Sequence, residues 1–597
     1  MALTKATYSM IDGAPLNILD FGAIGDGVAD DTAAIQAAIT ASGASGVVLY
    51  WPKGTYLVTA TITASVAKLN WLCDGATVNF NPAADVAVGF NLTCAVGAQH
   101  AVNGSGISFN FNNKANRGIV FDQPTGNQTA TIYLENISAS NVQMQVGTPV
   151  GSAGIMVGGG WRTVDVLDCT VNSVAMRTGA GVPGFRGVTG ILITNTFATA
   201  GAYALMTRII RPTVNRVYSL DVAYTSDMDG IGIFANPDVD NSAGPSTAIV
   251  EDAVISSCWG RDVKLQVAHA FIREPRSVRD EGPTGGLVNA AYDFQSGSGE
   301  LIGGNFTIDG VAVSVQGLCR FSCATAMAPM SSQWIGGQIY IINGGTATHL
   351  LTHEPETSDA KAFSKATGQS VIGAVQNFAL MRTNSYDENI CVCEGQTLQE
   401  LTESLFRVQS RAGGTSPYRG IVKAANVIHL DATAVPLVVG NIAPTGSQFI
   451  ASQSGCIGFT DPTTAFNSGG ASSSGIAAVG ARFPEPWQTG TVGGVYLSGT
   501  ERDFSLLLTA GQDITLPAHG YGSAYLAFLM MDINQTSYAL LSVGSSGIVT
   551  ISAGAAANIG TTSDPGSGDL RVWRSGSQLV IKNGGASSRV VMVKLFG

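Results

Sequence analysis

Between about 100 and 430 the chain repeats one alternating pattern, in which a glycine-marked opener leads into a short apolar strand. It reads Arg117-Gly118-Ile119-Val120-Phe121, Ala153-Gly154-Ile155-Met156-Val157, Thr189-Gly190-Ile191-Leu192-Ile193 and Asp229-Gly230-Ile231-Gly232-Ile233. Arg261-Asp262-Val263-Lys264-Leu265 is a variant, and the steps are 36, 36, 40 and 32 residues. A second series, Ile302-Gly303-Gly304, Ile335-Gly336-Gly337 and Ile372-Gly373-Ala374, steps by 33 and 37. Repeats of this size with irregular insertions predict stacked coils of a parallel β-helix.

Successive side chains of a strand point to opposite faces. Ile119 and Phe121, Ile231 and Ile233, and Val263 and Leu265 are therefore predicted to fill the interior. Val120, Met156, Leu192, Gly232 and Lys264 are predicted on the outer wall. Apolar outer positions in the early coils imply contact with neighbouring subunits or loops. The change to glycine and charge near 229–265 marks the expected groove.

The amino-terminal segment carries a different signal. After Asn17-Ile18-Leu19-Asp20-Phe21-Gly22 come Asp30-Asp31-Thr32, which can cap a helix start and complement its dipole. Ala34, Ile35, Ala38 and Ile39 then recur at helical spacing, and Gly43 and Gly46 end the helix. Strands follow at 47–50 and through 51–58. A short amphipathic helix of this kind can cover the open edge of a β-helix.

The run DFGAIGDGVADDTAAIQAAI, followed by GVVLYWPKGTYLV, resembles the opening of pectate-lyase-like β-helix proteins, notably phage tailspikes and polysaccharide depolymerases. The resemblance implies an all-β protein: a right-handed parallel β-helix with a capping helix, then an antiparallel β-sandwich, assembled as a homotrimer. It implies bacterial capsular polysaccharide as partner and a place in the virion tail, after synthesis in host cytoplasm. It leaves the chemistry open, because the same cap precedes hydrolases, lyases and binders. Residues 1–16 are then either a peptide docking onto another tail protein or a leader. The β-helix is expected over 17–430 and a Gly/Ser-rich connector over 431–480. Alternating strands at 481–597, with a hairpin at Arg571–Arg574 and Gln578–Lys582, predict the sandwich, for trimerisation or carbohydrate binding.

Composition agrees with an all-β class. Only 12% of residues are charged and 74 are glycine, which favours short strands and tight turns over long surface helices. A net charge of −11 without a basic block argues against nucleic acid as partner. The longest apolar runs, such as Tyr525–Met531, are too short to span a bilayer, and the first residues lack the apolar core of a secretory signal. Nine scattered cysteines suit buried thiols made in a reducing compartment. No cofactor is expected. No metal site is expected either, since Leu350 stands where the zinc-protease pattern around His349 and His353 would need Glu.

Against this charge-poor background, residues 261–281 hold nine charged side chains. Cleaving a glycosidic bond needs a proton donor plus a nucleophile or base, usually two carboxylates. Carboxylates on adjacent coils would approach the roughly 5 Å of retaining enzymes, and those two coils apart the roughly 6.5–9.5 Å of inverting ones. The catalytic candidates are Asp229, Asp262, Asp280 and Glu281, with Asp227 and Asp293 close behind. Asp229 is expected to stack beside Arg261, and Asp293 to continue the Asp262 column. Arg261, Lys264, Arg273, Arg276 and Arg279 are candidates for binding anionic groups of a glycan. Tyr224, Trp259 and Tyr292 are candidates for stacking on sugar rings. A lyase is the alternative: Arg273-Glu274-Pro275-Arg276-Ser277-Val278-Arg279 approaches the lyase pattern R-x-P-x-x-R with its last Arg one position late. A non-catalytic receptor-binding fibre is the third reading.

Overall fold

The computed structural model describes residues 13–460 except 124–128, 144–150, 178–186, 195–202, 221–227, 236–245, 283–289, 311–313, 324–329, 356–361, 384–387, 411–418, 442–447 and isolated positions. Beyond 460 it describes backbone strands between 476 and 596. The leader 1–12 and the Gly/Ser run 467–475 lie outside the described residues. The chain divides into two compact units, one of residues 1–352 with 369–375 and the other of 353–368 with 376–597.

In the first unit each coil contributes three short strands, and each strand pairs in parallel with its counterparts one coil before and after. Ser152–Gly159, Val188–Thr194, Met228–Phe234 and Arg261–Gln266 stack on one face. Thr163–Leu167, Met206–Ile210, Thr247–Glu251 and His269–Arg273 stack on a second. Thr170–Met176, Thr213–Ser219, Val254–Ser256 and Arg276–Arg279 stack on a third. This is a parallel β-helix. A single left-handed residue turns the second face into the third on successive coils, at Asn136, Asp168, Arg211, Asp252 and Glu274. Asp and Asn tolerate that conformation; at Arg211 a two-pronged ion pair to Asp168, 2.7 Å at both nitrogens, accompanies it.

Ile119, Phe121, Ile231, Ile233, Val263 and Leu265 fill the interior as their alternation predicts. The openers Arg117, Ala153, Thr189, Asp229 and Arg261 fall in one register. In the second series Ile302 pairs with Ile335, but Ile372 stacks on Tyr340 instead.

The expected helix spans Thr32–Ser45 and buries Ile35, Ala38, Ile39 and Ser42. Gly43 lies inside it, and Gly46, at φ 71°, is its left-handed end. The two acids before it divide their work. Asp30 accepts from Thr32 N at 3.0 Å, whereas Asp31 accepts from Ile24 N at 2.6 Å and Gly25 N at 3.2 Å, so it ties down the preceding loop instead of capping.

In the second unit parallel pairing runs through Ala362–Thr367, Glu388–Glu394, Arg419–Ala425, Gln448–Ser454 and Ile476–Gly480. Strand pairing thus extends past 430 into the segment read as a connector. After it come a six-stranded and a four-stranded sheet. All their pairings are antiparallel except Ile559–Gly560 with Leu570–Ser575. Leu570–Ser575 and Gln578–Asn583 form the hairpin, with Ser575 opposite Gln578.

Candidate functional site

The first face presents three outward columns, fixed by strand register. One runs Arg117, Ala153, Thr189, Asp229, Arg261. The middle one runs Val120, Met156, Leu192, Gly232, Lys264, Asp293, Arg320. The third runs Asp122, Gly158, Thr194, Phe234, Gln266. Early in the middle column Val120, Met156 and Leu192 form a buried apolar cluster with Ala153, and Phe234 packs against it. From Gly232 onward the wall becomes polar, at the position the sequence pattern indicates.

The charges there are arranged as an alternating ladder. Arg261 Nε lies 2.6 Å from Asp229 Oδ1, and Arg261 Nη1 lies 3.7 Å from Asp293 Oδ2. Arg320 Nη1 approaches the same Asp293 oxygen at 3.5 Å, and Gln295 Nε2 donates to it at 3.0 Å. Asp293 has no exposed side-chain surface, Asp229 has 4% and Arg261 8%. Asp229 and Asp293, expected as catalytic candidates, are thus sequestered against guanidinium groups and hold those cations in place. Asp293 also stacks on Lys264, not in the Asp262 column. The N–H groups of Asp262 and Val263 both donate to Ala291 O, at 2.8 and 3.0 Å, so Asp262 lies level with Ala291 and Asp293 falls two residues further along the strand.

Asp262 is inside the coil. In the four coils before it this position is Gly118, Gly154, Gly190 and Gly230, where an added Cβ would sit 2.4–2.9 Å from a carbonyl oxygen of the next coil. Asp262 is the first of the series with a side chain, and it meets Arg279 Nη2 at 3.1 Å. Arg279 also donates to Gly260 O at 2.8 Å, and Ser277 Oγ lies 2.5 Å from the Tyr292 hydroxyl. Burial pushes the Asp262 carboxyl up and the nearby Arg279 opposes it; burial likewise raises the Tyr292 hydroxyl. Asp262, Arg279 and Tyr292 are thus an internal polar cluster, removed from any glycan. Arg279 is the late Arg of the lyase-like pattern, and it is not free to act as a base.

Asp280 and Glu281 do stay accessible, at the corner between the third and first faces. Ser257 Oγ donates to Asp280 at 2.7 Å, and Arg216 Nε lies 3.1 Å from Glu281. The Arg216 guanidinium stands 4.4 Å over the Tyr218 ring, which meets Trp259 edge-on at 6.0 Å. Arg273 lies over Phe271 on the second face, and Arg276 is exposed on the third. Tyr224 and Asp227 lie outside the described residues.

Lys264 lies on the outward column its alternation predicts, while several other residues of this surface escape single-strand reading. Phe234, Lys264, Gln266, Gln295 and Arg320 retain partial exposure on the first face. Gln266 donates to Gln295, and Lys264 Nζ stands 5.2 Å from the Phe234 ring centre. Carrying the repeat through Tyr292–Gln295 and Cys319–Cys323 would have found Gln295 and Arg320. Asp122, at the other end of the third column, is a half-buried carboxyl raised by desolvation, with Arg117 opposing the shift.

Residues 16–181 match the protein family described as rhamnogalacturonase A/epimerase, pectate lyase-like. With the stacked parallel strands, that match makes this segment a pectate-lyase-like β-helix. Among curated proteins the chain is similar to mannuronan C5-epimerases of Azotobacter vinelandii. AlgE5 is 63% identical over 43 residues, 7% of this chain and 4% of the relative, and AlgE4 is 58% identical over 45 residues, 7% and 8%. The chain therefore spans under a tenth of these relatives' length.

Similar solved structures include PfbA, a surface adhesin of Streptococcus pneumoniae (13% identity, 68% of this chain and 94% of that one, TM-score 0.46). A tailspike protein mutant of E. coli bacteriophage HK620 in complex with a pentasaccharide is 11% identical, over 98% and 94%, with TM-score 0.39. The catalytic unit of an alpha-1,3-glucanase from Streptomyces thermodiastaticus is 11% identical, over 78% and 71%, with TM-score 0.33.

Proposed function

We propose that the chain is a phage tailspike that binds bacterial capsular polysaccharide along the first face and hydrolyses it. The observation that carries this reading is the partly exposed set Phe234, Lys264, Gln266, Gln295 and Arg320, laid over buried ion pairs. An aromatic ring offers an apolar face to a sugar, amides pair with hydroxyls, and Lys and Arg pair with carboxylate or pyruvate substituents. Local cations also offset the global −11, which would otherwise repel an anionic glycan. At the adjoining corner Trp259 and Tyr218 offer ring surface, and Asp280 and Glu281 accept from sugar hydroxyls. In this reading the C-terminal sheets form the module that trimerises the spike or binds carbohydrate, and residues 1–16 are the peptide that docks onto another tail protein.

The test is incubation of purified protein with a panel of capsule types. Hydrolysis releases oligosaccharides with saturated new ends; β-elimination would leave a conjugated, ultraviolet-absorbing uronate. Release of nothing from any capsule overturns the enzymatic reading. The burial of Asp229, Asp262 and Asp293 in ion pairs favours a second reading, a receptor-binding fibre that holds glycan without turnover. Binding without chain shortening would establish it.

A further inference from the structure

The third face carries a surface that the first-face reading does not use. Its strands continue back through Ile137–Gln143 and Ile107–Asn110 to Ala76–Phe80, all paired in parallel. Register sets two outward rows along them. One is Thr77, Ser108, Ser138, Thr170 and Thr213. The other is Asn79, Asn110, Ser140, Asn172 and Asn215. Each of these side chains is uncharged and keeps exposed surface. We propose that this strip binds a neutral polysaccharide lying parallel to the β-helix axis. The site is separate from the first face and independent of whether that face binds or cuts anything.

The asparagine row is held in place by its own bonds. Asn112 Nδ2 donates to Asn79 Oδ1 at 2.6 Å, Asn141 Nδ2 to Asn110 Oδ1 at 2.9 Å, and Asn215 Nδ2 to Asn172 Oδ1 at 3.1 Å. Asn215 Oδ1 in turn accepts from Ser256 Oγ at 2.9 Å. Amides fixed in this way have little side-chain freedom left to lose when a ligand binds. The other row is unspent. Among the described residues, the hydroxyls of Thr77, Ser108, Ser138, Thr170 and Thr213 have no partner. Each hydroxyl can both donate and accept, so the row offers a sugar both kinds of hydrogen bond on every coil.

Spacing and charge select the ligand. The same chemistry recurs at each coil, a step of about 4.8 Å, over roughly 19 Å from Thr77 to Thr213. A matching ligand carries hydroxyls along a line at about the length of one sugar unit. A protein partner would look for aromatic and apolar anchors, and neither row holds any. Charge is confined to the flanks: Arg208 Nε lies 2.6 Å from Asp165 on the second face, and Arg211 Nη2 lies 2.7 Å from Asp168 at the corner. With no cation on the strip and a net charge of −11 around it, an anionic glycan gains nothing here. The edge towards the second face stays open, because the strands there are joined by two residues or fewer. Beyond Thr213 the row passes to Val254 and Arg276, and the strip ends.

The test titrates the full chain by calorimetry with oligosaccharides from a panel of neutral and uronate-containing capsules. Wild type is compared with a double variant, Ser138→Arg with Thr170→Arg, and with Asn305→Arg, an exposed third-face position outside the strip. At least one neutral oligosaccharide is expected to bind wild type with an affinity insensitive to salt. The double variant should bind it about tenfold more weakly, the scale of two lost hydrogen bonds, and Asn305→Arg should bind it as wild type does. Hydroxyl-radical footprinting of wild type, which depends on no variant folding, should show the glycan protecting residues 137–143 and 170–176. Failure of every neutral oligosaccharide to bind, or protection confined to residues 229–266, overturns the proposal. So does a double variant that binds as wild type, or one whose oligomeric state changes, which would mark the strip as an interface between copies.

Discussion

Arg261 reaches back one coil to Asp229, with 2.6 Å between Nε and Oδ1 and almost no exposed surface on either side chain. The pair starts a ladder that continues to Asp293 and Arg320. Its contribution lies in mutual neutralisation, since each charge would be costly in this setting without the others. Replacing Asp229 by Ala should therefore destabilise the protein by about 3–5 kcal/mol, because it takes from the buried Arg261 guanidinium its 2.6 Å ion pair and leaves the longer 3.7 Å approach to Asp293. Replacing Asp229 and Arg261 together by apolar residues of similar volume should recover most of that loss. Denaturant unfolding of the three variants checks both statements.

The inward glycine column makes a steric prediction. A Cβ at Gly190 would stand 2.5 Å from Gly230 O and 2.7 Å from Val214 Cγ1. Backbone on one side and core on the other leave no cheap relaxation, so Gly190→Ala should cost about 1–3 kcal/mol, as overpacked cores do. Gly282, with nothing among the described residues within 4 Å of an added Cβ, is the matched control, and Gly282→Ala should be nearly neutral. Thermal melts of the pair suffice.

These two features also show what the sequence can reveal. The openers from Arg117 to Arg261 were legible as a register because each coil must bury the same two positions, so spacing alone aligns them. The capping helix and the Leu570–Asn583 hairpin were legible from local patterns. Asp262 was not. Its column looked outward-facing until the glycines proved to mark an inward, crowded position, and the register that sets Asp293 beside Lys264 has no signature in residue types. Nor does alternation report whether an outward wall is itself covered, which is why Asp229 and Asp293 looked accessible. Arg320 and Gln295 were missed for a simpler reason: without the glycine opener, their coils did not announce themselves.

His353 predicts a pH dependence. Its imidazole is fully buried, with Nδ1 2.8 Å from Ser364 Oγ, and burial lowers its pKa to about 4 from the usual 6.5. The unfolded chain then binds more protons than the folded one between those values, so stability should fall as pH drops from about 6.5 towards 4 and level off below. The loss should be about 3 kcal/mol at most, from roughly 1.36 kcal/mol per pKa unit. Unfolding free energies against pH should show this slope, and His353→Gln should abolish it.

The corner makes a binding prediction. Trp259 meets Tyr218 edge-on, and the Arg216–Glu281 pair closes over Tyr218. Trp259→Ala should weaken glycan affinity by about 1–2 kcal/mol, the scale of a lost aromatic contact, with little change in turnover once glycan is saturating. Calorimetric titration with released oligosaccharide, alongside initial rates, separates the two.

The most direct test of the whole account is mass spectrometry of capsular polysaccharide incubated with the purified protein in isotopically labelled water. The account predicts oligosaccharides that each carry one labelled oxygen at a new saturated end, from at least one capsule type. Chains left at full length, or fragments ending in an unlabelled unsaturated uronate, would contradict it.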